Sequence, residues 1–447
     1  MKAIILAAGD GKRMNSPVSK VLHPILGKPM VRYVADVARD AGFSDITVVV
    51  GKNPCGIEEA FADFPVKFAV QATPQGTGDA VKAGAGGIAP DDDVLVLCGD
   101  MPLITAEFLR EFAEFSRGAD ATVAAVYKPE PGDFGRVFDS GGDFIEIVEA
   151  RDITPAHSHT DWANTGIYIF RGESLLGGLE SITNANSQGE YYLTDVPKIL
   201  RTRGGCVRVF HSREDLSVFT GINTQVQLAD AVRFMQQRIN ATHMIAGVRM
   251  IDPSSVFIDA DVKISRGAVI YPGCILEGAC EIGENATIWP NSHLQNTIVG
   301  AGAAVRQSVC ADAVIGAGTQ VGPFAYLRPG TVIGEKCRVG NFVEIKNATL
   351  GDGVKMAHLA YIGDADVGKG VNYSCGAITA NYDGKKKYRT KIGDNAFIGS
   401  NVNLIAPIEI GEKGYVAAGS TLTDNVPPCA LGLGRARQCN KEDWVKE

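Results

Sequence analysis

From residue 258 onward an aliphatic side chain returns every six positions, at Ile258, Ile264, Ile270, Leu276, Ile282, Ile288 and Leu294. The same period resumes at Ile315, Val321, Leu327, Ile333, Val339 and Ile345, and again at Ile392, Ile398, Leu404, Ile410, Val416 and Leu422. Neither a helix, with its repeat of about 3.6 residues, nor a strand, with its alternation, produces that period. It belongs to a coil of stacked repeats, in which one inward residue per short strand joins a continuous core. Glycine follows the aliphatic residue at Gly283, Gly316, Gly334, Gly340, Gly393, Gly399 and Gly411, where it is expected to permit a tight corner. Between Ile362 and Ile392 the period breaks around Asn381-Tyr382-Asp383-Gly384-Lys385-Lys386-Lys387. That stretch reads as a loop leaving the coil and carrying binding groups.

The first half obeys different periods. Apolar runs at Ala3 to Leu6, Thr47 to Val50, Val94 to Cys98 and Ala121 to Val126 are bounded by Gly and Asp, the pattern of buried strands. Between the first two, Met30, Tyr33, Val34, Val37 and Ala38 line one helix face. Strand, helix and strand in that order predict an α/β, Rossmann-like domain with a largely parallel sheet. Leu228, Val232, Met235 and Ile239 then predict a connecting helix. The expected layout is a domain over residues 1–224, a helix over 225–247 and a coil over 248–447.

A chain of 447 residues exceeds one compact core, so two domains suit its length. Its formal charge of -8 argues against a general nucleic-acid binder, because phosphate backbones are held by clustered Lys and Arg. The ten cysteines are scattered without a Cys-x-x-Cys pair, which predicts thiols in a reducing compartment. Ala3 to Leu6 is too short for a signal-peptide core, and no run reaches the ~20 apolar residues that cross a bilayer. These features predict a soluble, cytoplasmic protein with no nucleic-acid or membrane partner.

Directly after the first strand comes Leu6-Ala7-Ala8-Gly9-Asp10-Gly11-Lys12-Arg13-Met14, a glycine-rich turn ending in cations. Its backbone N–H groups can approach a phosphate, although an ordinary strand-to-helix turn has the same composition. Neighbouring groups favour the phosphate. Lys20 adds a cation able to share the neutralisation of a triphosphate. Gln71 and Gly76-Thr77-Gly78 follow the apolar stretch Lys67 to Val70 and offer amide and backbone groups to a base edge. Asp100 follows the run Val94 to Cys98, at the carboxyl end of a buried strand where open α/β sheets bind ligands. Such an Asp is either a turn residue or, beside a phosphate, a Mg²⁺ ligand.

At these residues the chain resembles the sugar-phosphate nucleotidyltransferases. Their opening L-A-A-G-x-G-T-R-M and following P-K pair are met here by L-A-A-G-D-G-K-R-M and Ser19-Lys20. Lys12 in place of Thr and Ser19 in place of Pro depart from that pattern. The resemblance implies catalytic roles for Arg13 and Lys20, with UTP bound by Leu6, Ala7, Ala8, Gly9, Lys20, Gln71, Gly76 and Thr77. It assigns Gly135, Glu149, Asn164 and Asn223 to the sugar side, and Asp100 with Asn223 to Mg²⁺. Without it, Glu149 and Asn164 read as surface or turn residues. Phosphoryl transfer then asks for positioning and charge neutralisation, not for a protein nucleophile.

In the coil, His358 stands where the hexad is about to break, and a lone histidine at a corner is more readily packed or hydrogen-bonded than catalytic. Arg328 and Lys346 are close enough in hexad count to share a side of the coil. With Tyr361 and Asn372 they suit a phosphorylated sugar whose amine faces a base. Histidine side chains titrate near pH 6.5 in water, about where a general base works best.

This half resembles the left-handed β-helix acyltransferases. The conjunction of G-P-F-A-x-L-R-P-G, V-G-N-F-V-E-x-K and N-Y-D-G with the N-terminal motifs is similar to the family of bifunctional uridylyltransferase/acetyltransferases, over nearly the whole chain. The resemblance implies that acetyl-CoA acetylates glucosamine 1-phosphate and that N-acetylglucosamine 1-phosphate is then coupled to UTP. It implies His358 as general base, and Arg328, Lys346, Tyr361, Asn372 and Lys387 around the acetyl acceptor. Acetyl-CoA falls to Cys375, Asn381, Tyr382, Ser400, Ala418 and Arg435, with Cys375 departing from the family's usual Ala. The left hand of the coil and a homotrimer with shared acetyltransferase sites come from the resemblance alone. Two other readings stay open: a nucleotidyltransferase of single activity whose coil serves regulation or assembly, and a non-catalytic subunit that binds sugar nucleotides.

Overall fold

The computed structural model describes residues 1–447 except 10, 55, 156, 158, 443, 446 and 447, so Asp10 of the glycine-rich turn and Cys55 lie outside the described residues. The chain divides into two compact units, Met1–Met235 and Gln236–Glu447.

The first unit is built on nine strands: β1 (Lys2–Ala7), β2 (Asp45–Gly51), β3 (Lys67–Gln71), β4 (Asp93–Cys98), β5 (Ala121–Tyr127), β6 (Arg136–Ser140), β7 (Asp143–Val148), β8 (Trp162–Arg171) and β9 (Val207–Ser212). Their order in the sheet is β3-β2-β1-β4-β8-β5-β9-β7-β6. Alternation along each strand splits the apolar residues between two faces. Ile5, Val48 and Leu97 pack with Val34 of α1 (Met30–Asp40) and Phe108 of α3 (Ala106–Phe115). Ile4, Val49 and Val96 pack with Val81 of α2 (Thr77–Gly84), Leu175 of α4 (Gly172–Leu179) and Val196 of α5 (Asp195–Thr202). Both faces of the sheet are covered, which is why its strands read as unbroken apolar runs.

The largely parallel sheet expected from those runs holds only for part of it. Strands β3, β2, β1 and β4 are parallel neighbours, and so are β5 and β9. Between the two groups β8 runs antiparallel to both β4 and β5, and β7 and β6 extend the far edge antiparallel, so the sheet is mixed. Strand β8 hides from a sequence reading because its register shifts between Asn164 and Tyr168, where polar Asn164-Thr165-Gly166 interrupts the apolar pattern.

The connecting helix is α6 (Gln225–Ile245), and the division between units falls inside it. In the second unit, Gln236 Nε2 donates to the Val256 carbonyl at 2.7 Å and Asn240 Nδ2 to the Pro253 carbonyl at 2.8 Å, fastening the helix end to the start of the coil. From there the chain winds as a left-handed parallel β-helix. An eleven-stranded sheet, Arg249–Met250 to Leu431–Gly432, forms one face, and a seventeen-stranded sheet supplies the other two. Leu276 pairs with Leu294 and Leu327 with Ile345, so a regular coil is three hexads long. The hexad aliphatics point inward, and Ile270, Leu276, Ile288, Leu294 and Leu327 are fully buried.

The period fails between Leu294 and Ile315 and again after Ile345. Leu294 pairs with Cys310 and Val299 with Ile315, so one coil falls short of three full hexads. Val299, Val305 and Cys310 fill its core, and the steps from Leu294 to Val299 and from Val305 to Cys310 are each one residue short of a hexad. Later, Tyr361 pairs with Ile378, again just short of three hexads, whereas Ala365 pairs with Thr390, more than four hexads on. The surplus is the loop beginning at Asn381. That loop is a closed hairpin: Tyr382 bridges Lys387, and Asp383 Oδ1 accepts from the Lys385 and Lys386 amides at 2.7 and 2.6 Å.

The glycines that follow the aliphatic residues do not serve the corner expected of them. An added Cβ would lie 2.7 Å from the Ala301 nitrogen at Gly283, and 2.7 Å from the Lys369 nitrogen at Gly351, with neither glycine in a left-handed conformation. The next coil stacks too closely there for any side chain. Left-handed corners fall instead on residues such as Asn296 (φ 45), Asp312 (φ 46), Asn347 (φ 44) and Asp364 (φ 49).

Candidate active sites

At the carboxyl ends of β1, β3 and β4, a cavity of about 320 Å³ is lined by Leu6, Ala7, Ala8, Gly9, Lys20, Gln71, Gly76, Thr77 and Asp100. All the residues expected on the UTP side are thus brought into one wall. Gln71 is buried, and its side-chain nitrogen donates to the Gly76 carbonyl at 3.2 Å and the Asp79 carboxylate at 2.7 Å. Its Oε1 is what remains to accept a hydrogen bond from a ligand. Gly76 has φ 112, and an added Cβ would lie 2.5 Å from the Tyr191 carbonyl oxygen, so only glycine fits. Thr77 Oγ1 accepts from the Leu193 amide at 3.1 Å and ties the wall to that neighbouring segment. Burial, aided by the Asp100 carboxylate, pushes the Cys98 thiol up to about 12, making it a neutral part of the lining.

Beyond Gly9, Gly11 (φ 60) turns the chain into a short 3-10 turn, Lys12–Met14. Gly11, Lys12, Arg13, Lys20 and Asn223 line a second groove of about 250 Å³. Lys20 belongs to both spaces, with its Nζ 2.5 Å from Asp100 Oδ2 and 3.0 Å from Asn223 Oδ1. Asn223 is held in turn by Gln227, whose Oε1 accepts from its backbone amide at 2.8 Å. The two oxygens expected to bind Mg²⁺ therefore converge on one positive charge. A carboxylate and an amide oxygen are hard donors that fit Mg²⁺, which is usually bound by one or two protein oxygens plus waters and phosphates. Among the described residues no group of three or more His, Cys, Asp or Glu offers a metal an alternative.

Gly135, Glu149 and Asn164 also meet. An added Cβ on Gly135 would lie 3.5 Å from both Glu149 Oε2 and Asn164 Cβ. Asn164 donates from its backbone to the Gly135 carbonyl at 2.8 Å and from Nδ2 to Tyr168 Oη at 2.7 Å. Burial raises the pKa of the Glu149 carboxyl, opposed in part by the Thr194 hydroxyl, which donates to Oε1 at 3.1 Å. Tyr168, Thr194 and Gln227 carry no motif, and sequence reasoning passed over them.

In the coil, Arg328, Lys346, Tyr361, Lys387 and Asn381 form one cluster with three residues that sequence reasoning missed, Glu344, Asn347 and Asp364. The strands Glu344–Leu350 and Tyr361–Val367 run round a corner of the coil, with left-handed Asn347 and Asp364 at the bend. Arg328 Nη1 donates to Glu344 Oε1 at 2.8 Å, and the carboxylate raises the guanidinium pKa further. Asp364 accepts from Asn347 Nδ2 at 2.6 Å and from Asn381 Nδ2, which roots the hairpin in the coil. Burial pushes the Asp364 pKa up, but these bonds and the charges of Lys346 and Lys387 outweigh it, so the group stays ionised below the usual carboxylate range. The Lys387 ammonium beside Lys346 holds Lys346 below the usual lysine range. Burial, with Glu344 and Asp364 nearby, raises Tyr361. Two lysines and an arginine crowded together on a surface are arranged for an anion.

Among the described residues His358 makes no hydrogen bond to that cluster; it sits at a neighbouring corner, exposed and left-handed (φ 63). The register shows what surrounds it. Met356 pairs with Tyr373, Tyr373 with Ile398 and Ile398 with Val416, which puts His358, Cys375, Ser400 and Ala418 at equivalent positions in four successive coils. The backbone agrees, since Gly376 donates to the His358 carbonyl, Asn401 to Cys375 and Gly419 to Ser400. With strands ~4.8 Å apart, that column extends about 14 Å along the coil. Asn372 immediately precedes this corner, and its Nδ2 donates to Ser374 Oγ at 3.1 Å. Tyr382 is exposed on the hairpin, and Arg435 is exposed after the last strand of the coil.

The family model described as MobA-like NTP transferase domain matches residues 3–166, and that described as bacterial transferase hexapeptide (six repeats) matches 261–296, 312–347 and 389–424. The unmatched stretches between the latter hold the short coil and the corner with its hairpin. "Bifunctional protein GlmU" of Clostridioides difficile (strain 630) is 43% identical, with 100% of this chain and 97% of the relative covered. The protein of the same name from Geobacillus sp. (strain WCH70) is 45% identical over 99% of this chain and 97% of its own length. The chain belongs to the bifunctional GlmU family. That from Caldanaerobacter subterraneus subsp. tengcongensis is 44% identical, again over 100% of this chain and 97% of its own. Family membership over the full length covers both sites at once, which neither domain model does alone. No helix among the described residues is long and apolar enough to cross a membrane.

Proposed function

We propose that the cavity in the first unit joins UTP to N-acetylglucosamine 1-phosphate, and that the corner of the coil acetylates glucosamine 1-phosphate. The chain is a bifunctional transferase that uses acetyl-CoA for the second reaction and yields UDP-N-acetylglucosamine and pyrophosphate in the first. Convergence of Lys20, Asp100 and Asn223 at the mouth of a cavity lined by Leu6 to Gly9, Gln71, Gly76 and Thr77 carries the nucleotidyl assignment.

Gln71, Gly76 and Thr77 of that cavity face the uracil, while Gly135, Glu149 and Asn164, which lie outside its lining, hold the sugar. Arg13 and Lys20 neutralise the phosphates as a phosphate oxygen of the sugar attacks the α-phosphorus in line and pyrophosphate leaves. Asp100 and Asn223 are the ligands for Mg²⁺, which when bound offsets the charge of the triphosphate.

At the coil Arg328, Lys346 and Lys387 hold the phosphate of glucosamine 1-phosphate, and Tyr361 and Asn372 orient the sugar. His358 takes the proton from the attacking amine. Acetyl-CoA lies along the column of Cys375, Ser400 and Ala418, with Asn381, Tyr382 and Arg435 at its flanks; the run of small side chains above an exposed histidine supports an extended thioester arm there. The left-handed, exposed rings of Phe324 and Phe342 stack at 5.3 Å beside exposed Leu359. Bulky residues bear that conformation only at a cost, and an apolar ladder of this kind supports a second copy covering it, as in a homotrimer. The described cysteines are free thiols, which suits the cytoplasm.

The test is to supply purified protein with glucosamine 1-phosphate, acetyl-CoA, UTP and Mg²⁺ and to follow free thiol and pyrophosphate separately. Both should appear. Pyrophosphate alone, from added N-acetylglucosamine 1-phosphate, would select the nucleotidyltransferase of single activity, and neither would select the non-catalytic subunit.

A further inference from the structure

We propose that Lys12 is a third phosphate-binding cation of the nucleotidyl site, holding the end of the nucleotide that leaves as pyrophosphate. The inference rests on the assignment of the adjoining cavity to UTP. Gly11, in its left-handed conformation, delivers the chain into the turn Lys12–Met14, and Met14 is buried and anchors that turn. An added Cβ on Gly11 would lie 2.6 Å from Lys20 Cβ, so the turn is in direct contact with the residue that borders the cavity. Lys12, Arg13 and Lys20 therefore surround one groove of about 250 Å³.

Charge decides what the groove takes. Lys20 is held by Asp100 at one edge of the groove. Among the described residues the lining of the groove carries Lys12, Arg13 and Lys20 and no carboxylate, so its wall favours an anion. A nucleotide whose base and sugar fill the cavity passes Lys20 and enters the groove with its β- and γ-phosphates. As the bond between the α-phosphorus and its bridging oxygen breaks, the electron pair stays on that oxygen and negative charge grows on the departing diphosphate. Lys12 faces that charge, so it strengthens the hold on UTP and on pyrophosphate, and leaves the sugar phosphate and the acetyl reaction aside.

The experiment is steady-state kinetics of Lys12→Met and Lys12→Arg in the full-length protein, forward with UTP and N-acetylglucosamine 1-phosphate and in reverse with pyrophosphate and UDP-N-acetylglucosamine. Lys12→Met should raise KM for UTP and for pyrophosphate about tenfold, the scale of one charge pair partly exposed to water. KM for the two sugar substrates should stay within about twofold, and Lys12→Arg should retain most of the affinity. The ionic-strength dependence of kcat/KM for UTP should become shallower in Lys12→Met. Unchanged KM for UTP and pyrophosphate, or an equal loss on all four substrates, would overturn the inference while leaving the site assignment standing. Absence of pyrophosphate release by the wild-type protein would instead overturn the assignment on which it rests.

Discussion

The ammonium of Lys20 lies 2.5 Å from Asp100 Oδ2, across 80 residues of sequence, and joins the cavity beside β1 to the cationic groove. If that carboxylate is also the metal's anchor, Asp100→Ala should lower pyrophosphate release from UTP by at least about 100-fold, more than the loss of a group that merely orients a metal ligand. EDTA should do the same to the wild type. Thiol release from acetyl-CoA should stay within about twofold in both cases. Loss of both activities in a folded protein would contradict the division into two sites.

Glu149 is destabilising where it is ionised. Its folded-state pKa is raised by burial, so the folded protein binds its proton more tightly than the unfolded chain does, and folding loses stability as pH rises from the unfolded value of about 4.3 through the folded one. Above that window the loss is constant. Glu149→Gln should therefore melt about 2 °C or more higher than wild type at pH 7, with no difference below about pH 4. It should also raise KM for N-acetylglucosamine 1-phosphate. Equal melting temperatures at pH 7 would show that the carboxylate is solvated after all.

Lys387 depresses the pKa of Lys346, so Lys346 loses its charge at a lower pH than an isolated lysine. As pH rises, KM for glucosamine 1-phosphate should climb before the ordinary lysine range near 10.4 is reached. Lys387→Met removes the repulsion and should move that climb to higher pH, although it raises KM at neutral pH by losing one phosphate contact. A climb at the same pH in Lys387→Met and wild type would show that the two lysines titrate independently.

His358→Ala should lower kcat for acetyl transfer by about 10²–10⁴, the usual worth of a general base. KM for glucosamine 1-phosphate should change less, because Arg328, Lys346 and Lys387 remain. Pyrophosphate release should be untouched. Acetyl transfer at the wild-type rate would return His358 to a structural role at its corner.

Much of the fold was legible from residue types alone. The coil could be read because each of its short strands must turn one apolar side chain inward, so the period survives wherever the coil is regular. It became illegible at Val299, Val305 and Cys310, since a coil shortened below three hexads keeps its core and loses the spacing. Strand β8 escaped notice because the irregularity that begins at Asn164 breaks the apolar pattern.

The candidate sites divide in the same way. Sequence by itself determined the solenoid and the glycine-rich turn after the first strand, because core packing and backbone sterics restrict which residues a repeat and a turn accept, and its resemblances put forward Arg13, Lys20, Asp100, Arg328, Lys346 and His358 as candidates. Tertiary structure alone decided that Lys20 meets Asn223, that Lys387 lies against Lys346 and that His358 stands in line with Cys375, Ser400 and Ala418. Those relationships depend on the register between distant strands, and register accumulates every shortened coil and extruded hairpin along the way, which no local spacing of residues records.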